Sequence, residues 1–176
     1  MSPTSPVIAL GQIKQLGYVT DKIEETANTW VRTFGAGPFY LFPHVQAERI
    51  LYHGEPVEID FSVAIGYWQD IQIELIEQHN PVPSIYWEWL EGDMTGIHHM
   101  ALFVDDMTAA RKACRSAGAS IVQDMLVGEG EGIYVRVPNI SHYIEITAPP
   151  SSFMKAFEEI KQASVGWDRT GGLRSF

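Results

Sequence analysis

The stretch GIHHMALFVDD, residues 96–106, repeats in outline an earlier one, IKQLGYVTDKI, residues 13–23. In each, a short apolar strand runs directly into a helix start. Laid over one another, Ile97 falls on Ile13, His99 on Gln15, Ala101 on Gly17 and Asp105 on Asp21. Each copy closes with an acidic strand: IQIELIE at residues 71–77 and HYIEITA at residues 142–148, where Glu145 falls on Glu74. A repeat of this kind places one polar residue per strand in equivalent positions twice over. Gln15, Glu74, His99 and Glu145 then converge on one point, and those residue types suit a divalent metal.

Working outward, period sets the elements. After residues 13–20, Asp21 is placed to cap a helix over residues 21–33, with Ile23, Ala27, Trp30 and Phe34 at helical spacing. Gly35 and the Gly37-Pro38 pair stop it. Strands follow up to residue 77, with a hairpin turn at residues 54–56. The second copy repeats this order, with Asp105 or Asp106 capping a helix to residue 117 and strands near residues 120–123, 132–137 and 143–147. The fold class is α+β: two tandem βαβββ modules forming a cup-shaped, mostly antiparallel sheet with helices outside. The expected boundaries are 1–78 for the first module, 79–93 for a linker with a short helix, and 94–148 for the second module. Residues 149–176 hold a C-terminal helix and an irregular tail.

Alternation assigns faces. In IQIELIE, Ile71, Ile73 and Leu75 point one way and Glu74 the other; in HYIEIT, Ile144 and Ile146 pack while Tyr143, Glu145 and Thr147 face the opposite side. Gln15 shares a face with Gly17, and His99 with Ala101. His98 is out of register with Gln15, so His99 is the expected ligand. The apolar odd positions of residues 133–137 leave Tyr134 and Arg136 on the cavity side. A buried Glu74 or Glu145 is hard to explain as structure, because an unpartnered buried carboxylate is costly. Other polar residues read as ordinary: His44, His53, His79 and His142 as surface or turn residues, the Asp105-Asp106 pair as capping, Cys114 as a packed thiol.

Composition excludes several classes. The chain has 176 residues, 45% hydrophobic and 19% charged, as in a globular protein. No apolar run approaches the ~20 residues that span a bilayer. The net charge of −10 argues against nucleic acid and anionic membrane as partners. A single cysteine and the lack of a signal-like N-terminus lead to an expectation of a cytoplasmic location. Aromatic residues crowd the first module and the linker. Trp68 and Trp89, with Tyr134, are expected to contact a small-molecule substrate, and surplus ring area to serve a homodimer.

The doubled βαβββ order, with the HHMALFVDD, ELIE and YIEIT strings, resembles the vicinal oxygen chelate superfamily of glyoxalases, acyl-CoA epimerases, extradiol dioxygenases and bleomycin-resistance proteins. The resemblance covers residues 13–148. It implies metal ligands on the first and last strand of each module, which map to Gln15, Glu74, His99 and Glu145, a set similar to that of eukaryotic glyoxalase I. Zinc, nickel, manganese or cobalt acting as a Lewis acid would suit this oxygen-rich set better than the iron of a dioxygenase. The expected activity is that of a metal-dependent isomerase or lyase. Glu145, or else Glu74, would move a proton beside a carbonyl of a mostly apolar molecule, and Arg136 could hold an acidic end if it is not an ion-pair member. The absence of a basic cluster speaks against glutathione or coenzyme A as the handle. The alternative is a metal-free drug-binding protein of the bleomycin-resistance type.

Overall fold

The computed structural model describes residues 7–176. A 3-10 turn at Val7–Leu10 leads into β1 (Gly11–Val19), α1 (Ile23–Phe34), β2 (Phe39–Phe42), a hairpin of β3 (Arg49–Tyr52) and β4 (Glu55–Pro56), then β5 (Phe61–Trp68) and β6 (Ile71–Gln78). After α2 (Ile85–Glu91), the second half runs β7 (His99–Val104), α3 (Met107–Ser116), β8 (Ser120–Val127), β9 (Gly130–Arg136) and β10 (Tyr143–Ala148). The chain closes with α4 (Ser151–Ser164) and β11 (Leu173–Ser175). All strands join one sheet in the order β11-β2-β5-β6-β1-β7-β10-β9-β8-β3-β4. The expected α+β class holds, with a large curved sheet that is mostly antiparallel.

Within each half the first strand lies parallel to the last: β1 beside β6, and β7 beside β10. The halves meet where β1 and β7 pair antiparallel. One face of each half is covered by its own helix. Ile23, Ala27 and Val31 recur four residues apart and bury one stripe of α1 against Ile73 and Leu75. In α3, Met107, Ala110 and Cys114 bury against Ile133, Val135 and Ile146.

The helix starts differ from the sequence reading in one case. Asp106 caps α3 as expected, accepting from the Ala109 N–H at 2.9 Å. Asp21 does not cap α1; the Glu77 carboxylate, reaching from β6, accepts the Ile23 N–H at 2.9 Å. A carboxylate at a helix start also meets the positive end of the helix dipole, and here it ties α1 to the strand that carries Glu74.

Three further features depart from the tandem pattern. The β3–β4 hairpin of the first half crosses over and pairs with β8 of the second. The tail is not irregular: Leu173–Ser175 adds parallel to β2, extending the other edge. Lastly, α2 and α4 pack on the face opposite α1 and α3, where Ile85, Tyr86 and Ile160 join a core with Phe61, Val63 and Ile65. The sheet's inner face is thus walled at its ends rather than open.

Candidate active site and metal centre

The central strand pair builds the site. In the β1–β7 ladder, Gln15 lies opposite Ala101 and Gly17 opposite His99, an exchange that expresses the internal repeat as a local two-fold. The neighbouring strands add their acids in the same relation, Glu74 beside Gly17 and Glu145 beside Ala101. Gly17 is required by contact rather than by φ: a Cβ there would stand 1.8 Å from Cε1 and 2.2 Å from Nε2 of His99. The imidazole lies flat against the glycine backbone, which aims it at the carboxylates.

His99 is fully buried. Its Nε2 lies 3.2 Å from Glu74 Oε2 and 3.1 Å from Glu145 Oε2. Neither oxygen sits along the direction of a good hydrogen bond, and Nε2 has no hydrogen-bond partner. One ligand atom from each of Glu74, His99 and Glu145 lies within 4.8 Å of the others. Three donors thus face a shared position instead of each other.

The tautomer of His99 follows from what stands behind it. His98 is buried, and burial, with the neighbouring His99 charge, holds it well below its usual value, so it is neutral. Its Nε2 lies 3.3 Å from the Ile85 carbonyl, which can only accept, so the proton of His98 sits on Nε2. His98 Nδ1 is then an acceptor, 3.0 Å from His99 Nδ1. His99 donates through Nδ1, so Nε2 is the nitrogen that faces the two carboxylates; it would ligate an ion once the proton it carries in the metal-free protein is displaced. A histidine whose far nitrogen is fixed in this way is the usual arrangement of a metal ligand.

The charges agree with that reading. Burial pushes the Glu74 carboxyl up, and the charge of Glu145 adds to this while His99 and Gln15 oppose it. Burial alone would depress His99, but the close carboxylates of Glu145 and Glu74 outweigh it and push it up to about 9. A positive charge between the two carboxylates offsets their repulsion; the His99 imidazolium supplies it in the metal-free protein, and Nε2 is placed to bind an ion that takes over from its proton. The donor set therefore fits a divalent ion.

Gln15 is buried on the same face and gives its Nε2 to Gln72 Oε1 at 2.7 Å, so a ligand atom from Gln15 would be its Oε1. Tyr134 also lies here, its ring edge-on to His99 at 5.2 Å between centroids and its hydroxyl 3.1 Å from that of Tyr86. The other expected substrate contacts are placed elsewhere. Trp68 lies on the opposite face of β5, stacked with Trp30 and Phe34 beside α1. Trp89 is buried against His98 at 5.0 Å. Arg136 shares the face of Tyr134 but lies at the strand's exposed end, where it meets Glu88 and the Tyr143 hydroxyl. Tyr143 and Thr147 do not orient Glu145: Tyr143 turns to Arg136 and Glu88, and Thr147 donates to the Glu131 carbonyl. Instead Gly132, opposite Thr147 on β9, leaves room beside Glu145 Oε1.

Glu74, Glu145, Gln15 and Tyr134 form the polar floor of a cavity of about 190 Å³. Its walls are apolar: Phe61, Val63 and Ile65 from β5, Phe103 from β7, and Phe153 and Phe157 from α4. The sequence reading missed these. The alternation of Phe61, Val63 and Ile65 with Ser62, Ala64 and Gly66 carries the signal for β5, and it also places Trp68 on the far side. The part played by α4 has no local signal, since it depends on where the chain turns back.

The Glyoxalase/Bleomycin resistance protein/Dioxygenase superfamily model matches residues 14–136, more than half the chain. The chain belongs to this superfamily. No curated protein sequence matches it significantly. Among solved structures, the superfamily fold is shared with a methylmalonyl-CoA epimerase (TM-score 0.54, 18% identity, 81% of this chain and 98% of that one). The methylmalonyl-CoA epimerase from Mycobacterium tuberculosis is similar as well (TM-score 0.58, 15% identity, 88% and 97%). So is a hypothetical protein from Bacillus halodurans C-125 (TM-score 0.58, 14% identity, 80% and 96%). At these identities the likeness is one of fold. No helix among the described residues is long and apolar enough to cross a membrane.

Proposed function

We propose that this superfamily member is a metal-dependent isomerase of the epimerase or glyoxalase type, moving a proton on the carbon beside a carbonyl of a small, mostly apolar molecule. The observation that carries this is the buried Nε2 of His99, without an aligned hydrogen-bond partner, between two half-buried carboxylates at the floor of an apolar cavity. Gln15, Glu74, His99 and Glu145 would hold the ion. When bound, a divalent ion there supplies Lewis-acid polarisation of a carbonyl and charge stabilisation of the enolate.

The protein's own groups supply the rest. Glu145 and Glu74 come from different half-sheets and flank His99 from two sides, so one can take a proton and the other return it. Glu145 is the base, because Gly132 leaves space next to its carboxylate. Glu74, pushed up by burial, is the better suited of the two to return the proton. The aromatic and aliphatic walls exclude water, which strengthens every charge interaction at the floor. A cavity of about 190 Å³ admits only a small reacting portion, and its lining holds no Lys or Arg. Both points favour a compact oxo compound, or the acyl end of a larger ester whose handle stays outside. The methylmalonyl-CoA bound by a fold neighbour is of the latter kind. A cavity this small does not favour the alternative, sequestration of a bulky cationic drug.

The test is Glu145→Gln, which keeps an oxygen at the position and removes the base. Assayed for solvent-deuterium exchange against a panel of small branched 2-oxo acids and acyl thioesters, it should retain metal and lose about 10²-fold or more of the wild-type exchange rate. Wild-type exchange in the variant would exclude Glu145 as base and transfer the role to Glu74.

A further inference from the structure

A second group of ligand-type side chains lies outside this site, at one end of the first half-sheet. His44 follows β2, Asp60 precedes β5 and His79 follows β6. These are adjacent strands whose register sets the three residues side by side: Phe61 pairs with Gln78 and Phe42 with Val63. The backbone locks them together. The His79 N–H donates to the Asp60 carbonyl at 2.7 Å, the Asp60 N–H to Asn80 Oδ1 at 2.9 Å, and the His44 N–H to Ser62 Oγ at 3.1 Å. His44 itself sits at φ 47, a left-handed conformation that a non-glycine residue adopts at some cost.

The side chains converge. His44 Nδ1 lies 2.7 Å from Asp60 Oδ1, and the two imidazoles stand 4.9 Å apart between centroids. His79 Nε2 contacts Ser62 Oγ at 2.7 Å, and Glu77 Oε1 lies 3.7 Å from its Nδ1. One ligand atom from each of His44, Asp60 and His79 falls within 4.8 Å of the other two. Ligands at ~2.1 Å from one ion stand at most about 4.2 Å apart, so a small rotation of exposed side chains completes the set.

We propose that His44, Asp60 and His79 form a second metal site, open to solvent, for a transition-metal ion of the zinc, nickel or cobalt class. Two imidazoles and one carboxylate with open positions suit those ions and not calcium or magnesium, which take all-oxygen shells. The site differs in kind from the buried centre, which offers one nitrogen among oxygens. It also has a consequence for the cavity. His44 lies between Phe42 and Val45, both of which line that cavity. An ion holding His44 to β5 and β6 fixes this part of the wall.

The experiment is zinc uptake by equilibrium dialysis with elemental analysis. Wild type, His99→Ala and the double variant His44→Ala/His79→Ala are compared at equal protein concentration. The wild type should bind two equivalents and each variant one. Asp60→Asn, which preserves the hydrogen-bonding shape, should weaken the second equivalent at least tenfold in the full chain. Uptake by the double variant equal to that of wild type would overturn the proposal, as would a single wild-type equivalent that His99→Ala abolishes. The double variant alone decides the matter if His99→Ala does not fold, because its substitutions are at the surface.

Discussion

The two central strands share a backbone plan and differ in what they support. On β7, His99 rests on a glycine of the partner strand and is backed by the buried His98, which is anchored on the Ile85 carbonyl. On β1, Gln15 faces Ala101 and is backed by Gln72, whose amide donates to the half-buried Tyr67 hydroxyl at 3.0 Å. A rigid ring needs the space that only Gly17 leaves, whereas an amide on a flexible stem tolerates a methyl opposite. The difference teaches that, on the proposed reading, affinity for a cation would be concentrated in the second half. It supplies the nitrogen donor and a fixed tautomer where the first half offers an adjustable amide oxygen, and each half adds one carboxylate.

Breaking the support of His99 should have the largest effect. Gly17→Ala drives a methyl into the imidazole. It should weaken zinc binding about 100-fold, as loss of ligand orientation does, and cost about 1–3 kcal/mol of stability, as overpacking does. Calorimetric titration and thermal melts measure both. His98→Phe keeps the ring packing against Trp89 and Tyr143 but removes the acceptor for His99 Nδ1. Zinc affinity should fall about 10–100-fold with the fold intact, and unchanged affinity would show that the tautomer is set by something else.

A pH series sharpens the comparison without mutation. Metal-free His99 carries a proton up to about 9, and an ion must displace it. Zinc affinity should therefore rise with pH by about tenfold per unit until about 9. The metal-free protein should behave oppositely. A group raised from about 6.5 stabilises the fold fully below that value and loses its contribution as pH rises through about 9. Melts in chelator between those values should show falling stability, and a flat profile would contradict the ion cluster. The smallest effect belongs to Ala101→Gly, the mirror of Gly17→Ala. Nothing is relieved opposite Gln15, so metal affinity should hold and stability should drop by about 1 kcal/mol or less.

Much of this centre was legible in the sequence, for a definite reason. Strand alternation and an internal repeat are local and periodic, so they bring Gln15, Glu74, His99 and Glu145 to one face without knowledge of the rest. The tryptophans were misplaced because ring area does not report direction. Trp68 sits in phase with Ala64 and Gly66, the small residues that let α1 and Phe39 approach β5, and the phase was the better guide. Trp89 is held by the imidazole of His98, a contact between segments whose meeting depends on the closed sheet. The docking of α4 over the cavity and of β11 on β2 are long-range events with no periodic signature.

The β3–β4 hairpin carries a final consequence. It leaves the first half and completes the sheet edge of the second, where Arg49 and Arg111 both clasp Asp124 of β8. A gene encoding either half alone would therefore specify a sheet with an unfinished border or an arm with nothing to grip. The arrangement works as a clasp between duplicated pieces. Once such a clasp exists, the copies are free to diverge, one toward a glutamine and the other toward a histidine, because neither has to assemble with a copy of itself.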